Sequence, residues 1–183
     1  MALDQAALEA AMRQAAELAA ATRDPKPNPR VGCVLLAPDG TVIATGAHDG
    51  PGTPHAEVIA LAVAGDRARG ATAVVTMEPC NHTGRTGPCS QALIDAGIAR
   101  VVFGQTDPNP KAAGGAAALR AAGVLVTEGV LADAATHLNP DWTRAMSRQR
   151  PDVTWKLAAT LDGWVAAADG SSRWITSEAA RAQ

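Results

Sequence analysis

The sequence has few cysteines, few aromatic residues and no long apolar run. Only three of its 183 residues are cysteine, tyrosine is absent, and the aromatic fraction is 3%. No apolar run reaches the about 18 residues that a transmembrane helix requires. The formal net charge of −2 gives no basis for broad electrostatic binding of nucleic acid or of a membrane surface. The N-terminal segment does not resemble a signal peptide, so the scarce cysteines favour a reducing, cytoplasmic location.

The order of the predicted elements indicates an α/β fold. An alanine-rich helix is predicted over 4–22 and a hairpin around Asp39-Gly40. Helices and strands then alternate, with Thr53 as the expected N-cap of the next helix. This pattern predicts a three-layer αβα sandwich whose central sheet is mixed and whose middle strands are parallel. The later elements are expected at 55–66 (helix), 71–77 (strand), 89–97 (helix), 100–104 (strand), 112–122 (helix), 124–129 (strand) and 131–148 (helix).

The composition changes near Arg150-Pro151. Three of the four tryptophans lie in the last 33 residues, and an apolar segment around Asp162-Gly163 predicts a second strand pair. We therefore expect one domain over 1–149 and the beginning of a second, incomplete domain over 150–183.

Four residues form the main chemical signal of the sequence, namely His55, Glu57, Cys80 and Cys89. Zinc is commonly bound by imidazole nitrogen and thiolate sulfur, and a catalytic zinc site leaves its fourth position to water. One histidine and two cysteines supply three such ligands. Glu57 lies two residues after His55 at the start of a predicted helix, where its carboxylate is expected to carry protons beside the metal. The pattern His-x-Glu followed by Pro-Cys is typical of zinc deaminases.

A closed structural zinc site is the main alternative from these residues alone. Such a site needs a fourth protein ligand, for which His82 and Cys33 are the candidates. Cys33 lies within the apolar strand "VGCVLL", which favours an ordinary core position. His82 is expected to order the cysteine loop or to lie near the rim of the pocket.

Several motifs, in order and spacing, resemble one known family. They are "PNPRVG" (27–32), "GAH" (46–48), "HAE" (55–57), "EPCNHTGRTGPC" (78–89), "DPNP" (107–110) and "AGVLVTEGVL" (122–131). Together they resemble the deaminase half of the bifunctional riboflavin-biosynthesis deaminase/reductases. The eight residues between Cys80 and Cys89 are similar to that branch rather than to the shorter Pro-Cys-x-x-Cys form. Where the family usually has two prolines before the second cysteine, this sequence has Gly87-Pro88.

The resemblance implies a fold of the cytidine-deaminase type, an activity and a set of roles. The implied reaction is hydrolytic deamination of 2,5-diamino-6-(5-phosphoribosylamino)pyrimidin-4-one. By resemblance, His55, Cys80 and Cys89 hold one Zn²⁺ ion and Glu57 is the proton shuttle. Three further residues, Asn28, His48 and Arg85, match positions that bind the phosphorylated pyrimidine.

The segment 156–181 is similar to the opening of the family's NADPH-dependent reductase domain. Ala158, Ser172 and Trp174 match cofactor or substrate positions there, but we expect no useful binding of NADPH from so short a region. A homodimer or higher homo-oligomer stays an open expectation. Two other functions also stay open: deamination of another nucleobase or nucleotide, and a non-catalytic remnant stabilised by zinc.

Overall fold

The computed structural model describes residues 3–23, 25–83, 87–172 and 176–181. Arg85 and Trp174, two of the predicted site residues, lie outside this part of the chain. The chain divides into two compact units, Met1–Arg150 and Pro151–Gln183. All described strands belong to the first unit. Among the described helices, none combines the length and apolar character that a bilayer-spanning segment requires.

The first helix, α1, spans Gln5–Ala21 and follows the predicted range closely. Asp4 caps it, since its Oδ1 atom accepts the backbone N–H of Ala7 at 2.8 Å. The alanine-rich sequence favours helix, and one face, which includes Leu8 and Met12, is buried against the sheet. The helix ends before the prolines at 25, 27 and 29, which cannot continue it.

Five strands form one mixed sheet in the order β2-β1-β3-β4-β5. The β1–β2 and β1–β3 pairs are antiparallel, whereas β3–β4 and β4–β5 are parallel. The prediction that the middle strands are parallel therefore holds for β3 and β4 but is wrong for β1 and β3. Every residue of β1 and β3 is buried, which explains their continuous apolar sequences. The strands span Gly32–Leu36 (β1), Val42–Ala47 (β2), Thr72–Met77 (β3), Arg100–Gln105 (β4) and Leu125–Glu128 (β5).

Helices cover both faces of the sheet. On one face, α2 (Ala56–Ala64), α3 (Cys89–Asp95) and α4 (Gly115–Ala121) pack on a core that includes Leu35 and Phe103. On the other face, α1 packs on Val34 and its neighbours, and α5 (Ala132–His137) contacts β4. Successive residues of β1 point to opposite faces, so both cores share this strand. The three-layer αβα sandwich with a mixed central sheet is therefore confirmed.

Two predicted helix features are wrong. The single helix expected over 131–148 is two helices, α5 and α6 (Pro140–Arg148), since a proline disfavours helical backbone at the preceding Asn139. Thr53 is not the N-cap of α2, because its hydroxyl donates to the carbonyl of Gly50 at 2.8 Å. The N-cap position is occupied by His55.

The predicted strand pair of the second unit is also wrong, because its described residues contain no strand. The turn at Asp162-Gly163 forms, and the N–H of Thr160 donates to the carbonyl of Trp164 at 2.9 Å. The side chains of Trp155 and Leu161 are largely exposed. A two-stranded hairpin is marginal unless further strands or a helix cover its apolar face. The one described helix of this unit, α7, spans Glu178–Arg181.

Candidate metal centre

His55 lies at the N-terminus of α2, where close packing on the sheet fixes the helix. A Cβ atom on Gly46 of β2 would lie 2.2 Å from the carbonyl oxygen of Ala56. Only glycine therefore allows this approach between the first turn of α2 and the strand. As N-cap, His55 has extended backbone, and its carbonyl accepts the N–H of Ile59 at 3.0 Å. Its side chain is thus free of the helix and turns toward the two cysteines.

Cys80 and Cys89 are brought together by the end of β3 and the beginning of α3. Cys80 follows β3 by three residues, and Cys89 is the first residue of α3. The backbone N–H of Ser90 donates to the carbonyl of Cys80 at 3.1 Å. The N–H of Cys89 donates to the Cys80 Sγ atom at 3.4 Å. These two bonds hold the cysteines side by side although eight residues separate them.

The three predicted metal ligands meet at one point. The ligand atoms of His55, Cys80 and Cys89 all lie within 4.8 Å of one another. The Nδ1 atom of His55 is 3.2 Å from the Cys89 Sγ and 3.6 Å from the Cys80 Sγ. Zinc bonds of about 2.0 Å to nitrogen and about 2.3 Å to sulfur, at a tetrahedral angle, would separate the nitrogen from each sulfur by about 3.5 Å. The donor types and their spacing therefore fit a zinc ion.

The electrostatics of the cluster favour a thiolate at Cys80. Hydrogen bonding from the Cys89 thiol, aided by His55 and the Cys89 N–H, holds the pKa of Cys80 well below its ordinary value. The same shared proton, together with burial, raises the pKa of Cys89. The hydrogen bond with Cys80 raises the pKa of His55, although burial opposes it. Because thiolate is the form that binds metal, Cys80 is the ligand of the three that this pairing prepares for a cation.

Glu57 lies in the first turn of α2 and is 3% exposed. It lines the same cavity as His55 and Cys80. Burial raises the pKa of Glu57 to about 7, and the negative charge of Cys80 adds to that effect. A buried carboxyl group beside a cluster of metal-ligand type has the chemistry that a proton carrier requires.

The cavity in front of the cluster has a volume of about 580 Å³, which lies within the range of small-molecule sites. Asn28 and His48 line it together, and the Asn28 Nδ2 atom is 2.9 Å from the His48 Nε2. The His48 Nδ1 atom is 3.0 Å from the carbonyl of Pro54. Because a carbonyl only accepts, Nδ1 carries the proton and Nε2 accepts from Asn28. Burial lowers the pKa of His48, which agrees with a neutral ring.

The loop that carries Asn28 is fastened by a residue that the sequence analysis missed. The Asn139 Oδ1 atom accepts the N–H of Arg30 at 2.7 Å, and its Nδ2 donates to the Arg30 carbonyl at 2.8 Å. Asn139 is buried and is the N-cap of α6. Two further residues of α6, Trp142 and Met146, line the cavity. Their spacing of four is the signal that places both on one helix face.

Two polar residues of the cavity were noted only as part of the "DPNP" motif and were not predicted as site residues. Asp107 and Asn109 line the cavity, and the Asp107 Oδ1 atom accepts the N–H of Asn109 at 2.8 Å. Burial raises the pKa of Asp107 to about 6, and the neighbouring charge of Glu78 adds to the effect. Both residues follow β4, whose carboxyl end meets that of the parallel strand β3 at the same edge of the sheet.

The remaining candidates lie elsewhere. Cys33 is buried in the core, and His82 is exposed and lines the cavity. Neither belongs to the one cluster of metal-ligating type found among the described residues. Ala158 and Ser172 lie in the second unit, and both are exposed. The structure therefore brings together His55, Glu57, Cys80, Cys89, Asn28 and His48, all within the first unit.

Family models match both parts of the chain. Residues 5–105 match the model described as the cytidine and deoxycytidylate deaminase zinc-binding region. Residues 151–183 match the model of the RibD C-terminal domain. The first match covers more than half of the chain and includes all three residues of the cluster and Glu57.

Curated and solved relatives agree with these matches. The riboflavin biosynthesis protein RibD of Corynebacterium ammoniagenes is 51% identical over 155 residues, which are 85% of this chain and 46% of that protein. RibD of Acinetobacter baumannii superimposes with a TM-score of 0.86 at 47% identity, over 97% of this chain and 50% of that one. A second solved structure is a Thermotoga maritima diaminohydroxyphosphoribosylaminopyrimidine deaminase/5-amino-6-(5-phosphoribosylamino)uracil reductase. It superimposes with a TM-score of 0.80 at 41% identity, over 95% of this chain and 51% of that one.

The fold, the cluster and these matches define the class of protein. The chain belongs to the cytidine and deoxycytidylate deaminase family. More particularly, it is a deaminase region of the RibD type, followed by part of a RibD reductase region. It spans about half the length of the curated relatives that it matches.

Proposed function

We propose that this chain is a zinc-dependent deaminase of riboflavin biosynthesis. Its substrate is 2,5-diamino-6-(5-phosphoribosylamino)pyrimidin-4-one, and its products are 5-amino-6-(5-phosphoribosylamino)uracil and ammonia. The observation that carries the proposal is the cluster of His55, Cys80 and Cys89 at a cavity that also contains the Glu57 carboxyl group. The Thermotoga maritima relative, which is named for this deaminase activity, supports the choice of substrate.

In the proposed site, His55, Cys80 and Cys89 hold one zinc ion. Zinc supplies Lewis-acid chemistry that makes water nucleophilic near neutral pH. Three protein ligands would leave one position open for water, as in catalytic rather than closed structural zinc sites. The burial of Cys80 and Cys89 keeps bulk water from the thiolates.

Glu57 is the proposed proton carrier. Its carboxylate takes a proton from the attacking water and delivers it to the ring nitrogen next to the reacting carbon. A second transfer through the same side chain protonates the leaving amino group. The bond from the ring carbon to the amino nitrogen then breaks, the new bond to oxygen remains, and ammonia leaves. The position of Glu57 at the cavity wall, in the first turn of α2, supports this role.

Asn28 and His48 are proposed to hold the pyrimidine. An amide side chain presents both a donor and an acceptor, which suits the edge of a pyrimidine. The hydrogen bonds of His48 to Pro54 and to Asn28 fix its ring, so the pair is arranged before substrate binds. By resemblance, Arg85 contacts the phosphate or the ring oxygen, because a guanidinium group is suited to anionic oxygen.

The chain is proposed to consist of a deaminase domain over 1–149 and part of a reductase domain over 150–183. The division of contacts after Arg150 and the family match that begins at residue 151 support this boundary. Ala158, Ser172 and Trp174 are the reductase positions implied by resemblance. We propose that NADPH is bound only by a complete reductase domain.

An assay of ammonia release tests the proposed function. The purified chain is incubated separately with the phosphorylated ribosylaminopyrimidine, cytidine, cytosine and guanine. The proposal expects release from the first compound and little from the others. Faster release from one of the other three would instead support deamination of another nucleobase or nucleoside. Absence of release from all four by zinc-loaded protein would support the non-catalytic alternative.

A further inference from the structure

Glu78 is a buried acidic residue to which neither the sequence analysis nor the proposed chemistry gives a role. It directly follows β3 and is 6% exposed. Its Oε1 atom accepts the backbone N–H of Gly114 at 3.2 Å and of Ala116 at 3.0 Å. Its Oε2 atom accepts the N–H of Asp107 at 3.2 Å. One side chain thus binds three backbone groups that lie 29 to 38 residues away in sequence.

The segment around Glu78 is joined to the same distant segment by further contacts. The N–H of Glu78 donates to the carbonyl of Gln105, and the N–H of Asn81 donates to the carbonyl of Ala112, both at 2.8 Å. A Cβ atom on Gly115 would lie 1.7 Å from the carbonyl oxygen of Pro79. The backbone on both sides of Cys80 is therefore packed directly against residues 105–116.

Residues 105–116 form one wall of the cavity. Asp107, Asn109 and Ala112 line it, and they face the same space as Cys80 and Glu57. Within this wall, the carbonyl of Asn109 accepts the N–H groups of Ala112 and Ala113 at 2.9 and 3.0 Å. The wall is thus a compact turn, and the Glu78 side chain binds it near both of its ends.

We propose that Glu78 is a positioning residue, whose side chain fixes the 105–116 wall against the metal-binding end of β3 and so sets the shape of the substrate cavity. Glu78 lines the cavity, but both of its carboxylate oxygens accept backbone N–H groups. We therefore give it no direct part in the reaction. Partners behind the residues that touch a metal or substrate often control their orientation in this way. The kinetic part of this inference rests on the proposed function.

A glutamine at position 78 tests the geometry selectively. Glu78→Gln can keep one oxygen toward Gly114 and Ala116, but its amide group then faces the N–H of Asp107, donor against donor. If the amide is flipped, its oxygen accepts from Asp107 and the bonds from Gly114 and Ala116 are lost instead. We expect KM for the phosphorylated pyrimidine to rise about tenfold and kcat to stay within about threefold. A buried N–H group that loses its acceptor costs roughly the free energy of a tenfold change in binding. Zinc content should remain that of the unmodified chain.

The experiment compares the unmodified chain, Glu78→Gln, Glu78→Ala and the control Glu17→Gln, which changes an exposed residue of α1. Zinc per chain, kcat and KM for ammonia release, and hydrogen exchange at the Asp107, Gly114 and Ala116 amides are measured. Faster amide exchange and raised KM in Glu78→Gln at full zinc content support the inference. Unchanged KM and exchange in that variant would overturn it.

Two other outcomes are also decisive. If Glu78→Gln loses zinc together with turnover, or fails to fold, Glu78 serves the metal site or the stability of the fold, and the proposed positioning role is wrong. If the unmodified chain does not release ammonia from the phosphorylated pyrimidine, the proposed function is wrong. In that case the zinc content and amide exchange of the variants still decide whether Glu78 fixes the wall.

Discussion

The Nδ1 atom of His55 lies 3.2 Å from the Sγ atom of Cys89, although the residues are 34 positions apart in sequence. The contact joins the beginnings of two helices, α2 and α3, that lie on the same face of the sheet. Cys80 reaches this point from the end of β3 between them. The cluster therefore depends on the packing of three separate elements, and changes in any of them should affect metal binding.

Replacing Glu57 tests the proton carrier. Glu57→Gln keeps the size of the side chain and the cavity but removes the group that takes and gives the proton. We expect turnover to fall about 10²-fold or more, because general acid–base catalysis contributes about that much. Zinc content, measured by elemental analysis, should not change. The control Glu17→Gln should retain full turnover, and normal turnover in Glu57→Gln would remove Glu57 from the proposed role.

Replacing Asn28 tests substrate binding. Asn28→Ala removes the amide that donates to His48 and lines the cavity. We expect KM for the phosphorylated pyrimidine to rise about tenfold or more, because a polar edge of the bound ring loses its partner. Steady-state kinetics measure this effect. Gln5→Ala, which removes an exposed amide from α1, is the control and should leave KM unchanged. An unaltered KM in Asn28→Ala would contradict the assignment.

Two glycine variants test the close packing behind Cys80. Gly115→Ala would place a methyl group 1.7 Å from the Pro79 carbonyl oxygen, so the backbone next to Cys80 must move. We expect the free energy of unfolding in urea to fall by about 1–3 kcal/mol, as for other overpacked sites. Zinc affinity should fall as well.

Gly87→Ala is the matched control for this packing. Among the residues that the structure describes, nothing lies within 4 Å of a Cβ atom built at Gly87. The same change there should stabilise the chain by about 0.4–1 kcal/mol or leave its stability unaltered, because it restricts the unfolded chain. Equal stability of the Gly115 and Gly87 variants would show that the Pro79 contact is not tight in solution.

The second unit allows a prediction about reductase activity. Its described residues form no strand, and Ala158 and Ser172 are exposed. We expect the 183-residue chain to oxidise no NADPH in the presence of 5-amino-6-(5-phosphoribosylamino)uracil. Absorbance of NADPH over time measures this. Oxidation above the rate without the pyrimidine would mean that residues 151–183 contribute more than we propose.

Much of the fold is predictable because local signals agree with the tertiary structure. The alanine-rich face of α1 and the Asp39-Gly40 turn predict their elements directly. The prediction is wrong where a single residue changes the path of the chain. Pro140 ends the helical backbone at Asn139, and the Thr53 hydroxyl bonds to a turn instead of a helix. Around Asp162-Gly163, the apolar pattern favours strands, but strand formation needs a covering surface as well as a pattern.

The cluster was easier to predict than the rest of the cavity. Histidine and cysteine are rare in this sequence, so their spacing carries a strong chemical signal. Trp142 lines the cavity from α6, Asn139 binds the backbone of Arg30, and Glu78 binds backbone groups of residues 107–116. Such contacts depend on how distant elements pack, and periodicity in one sequence does not contain that information.

Zinc content is the most direct test of the proposed metal centre. The unmodified chain, Cys89→Ser and the control Cys33→Ala, which changes the buried cysteine outside the cluster, are purified without chelators. Elemental analysis should give about one zinc per chain for the unmodified protein and for Cys33→Ala, and close to none for Cys89→Ser. A metal-free unmodified chain, or equal zinc in all three proteins, would contradict the account.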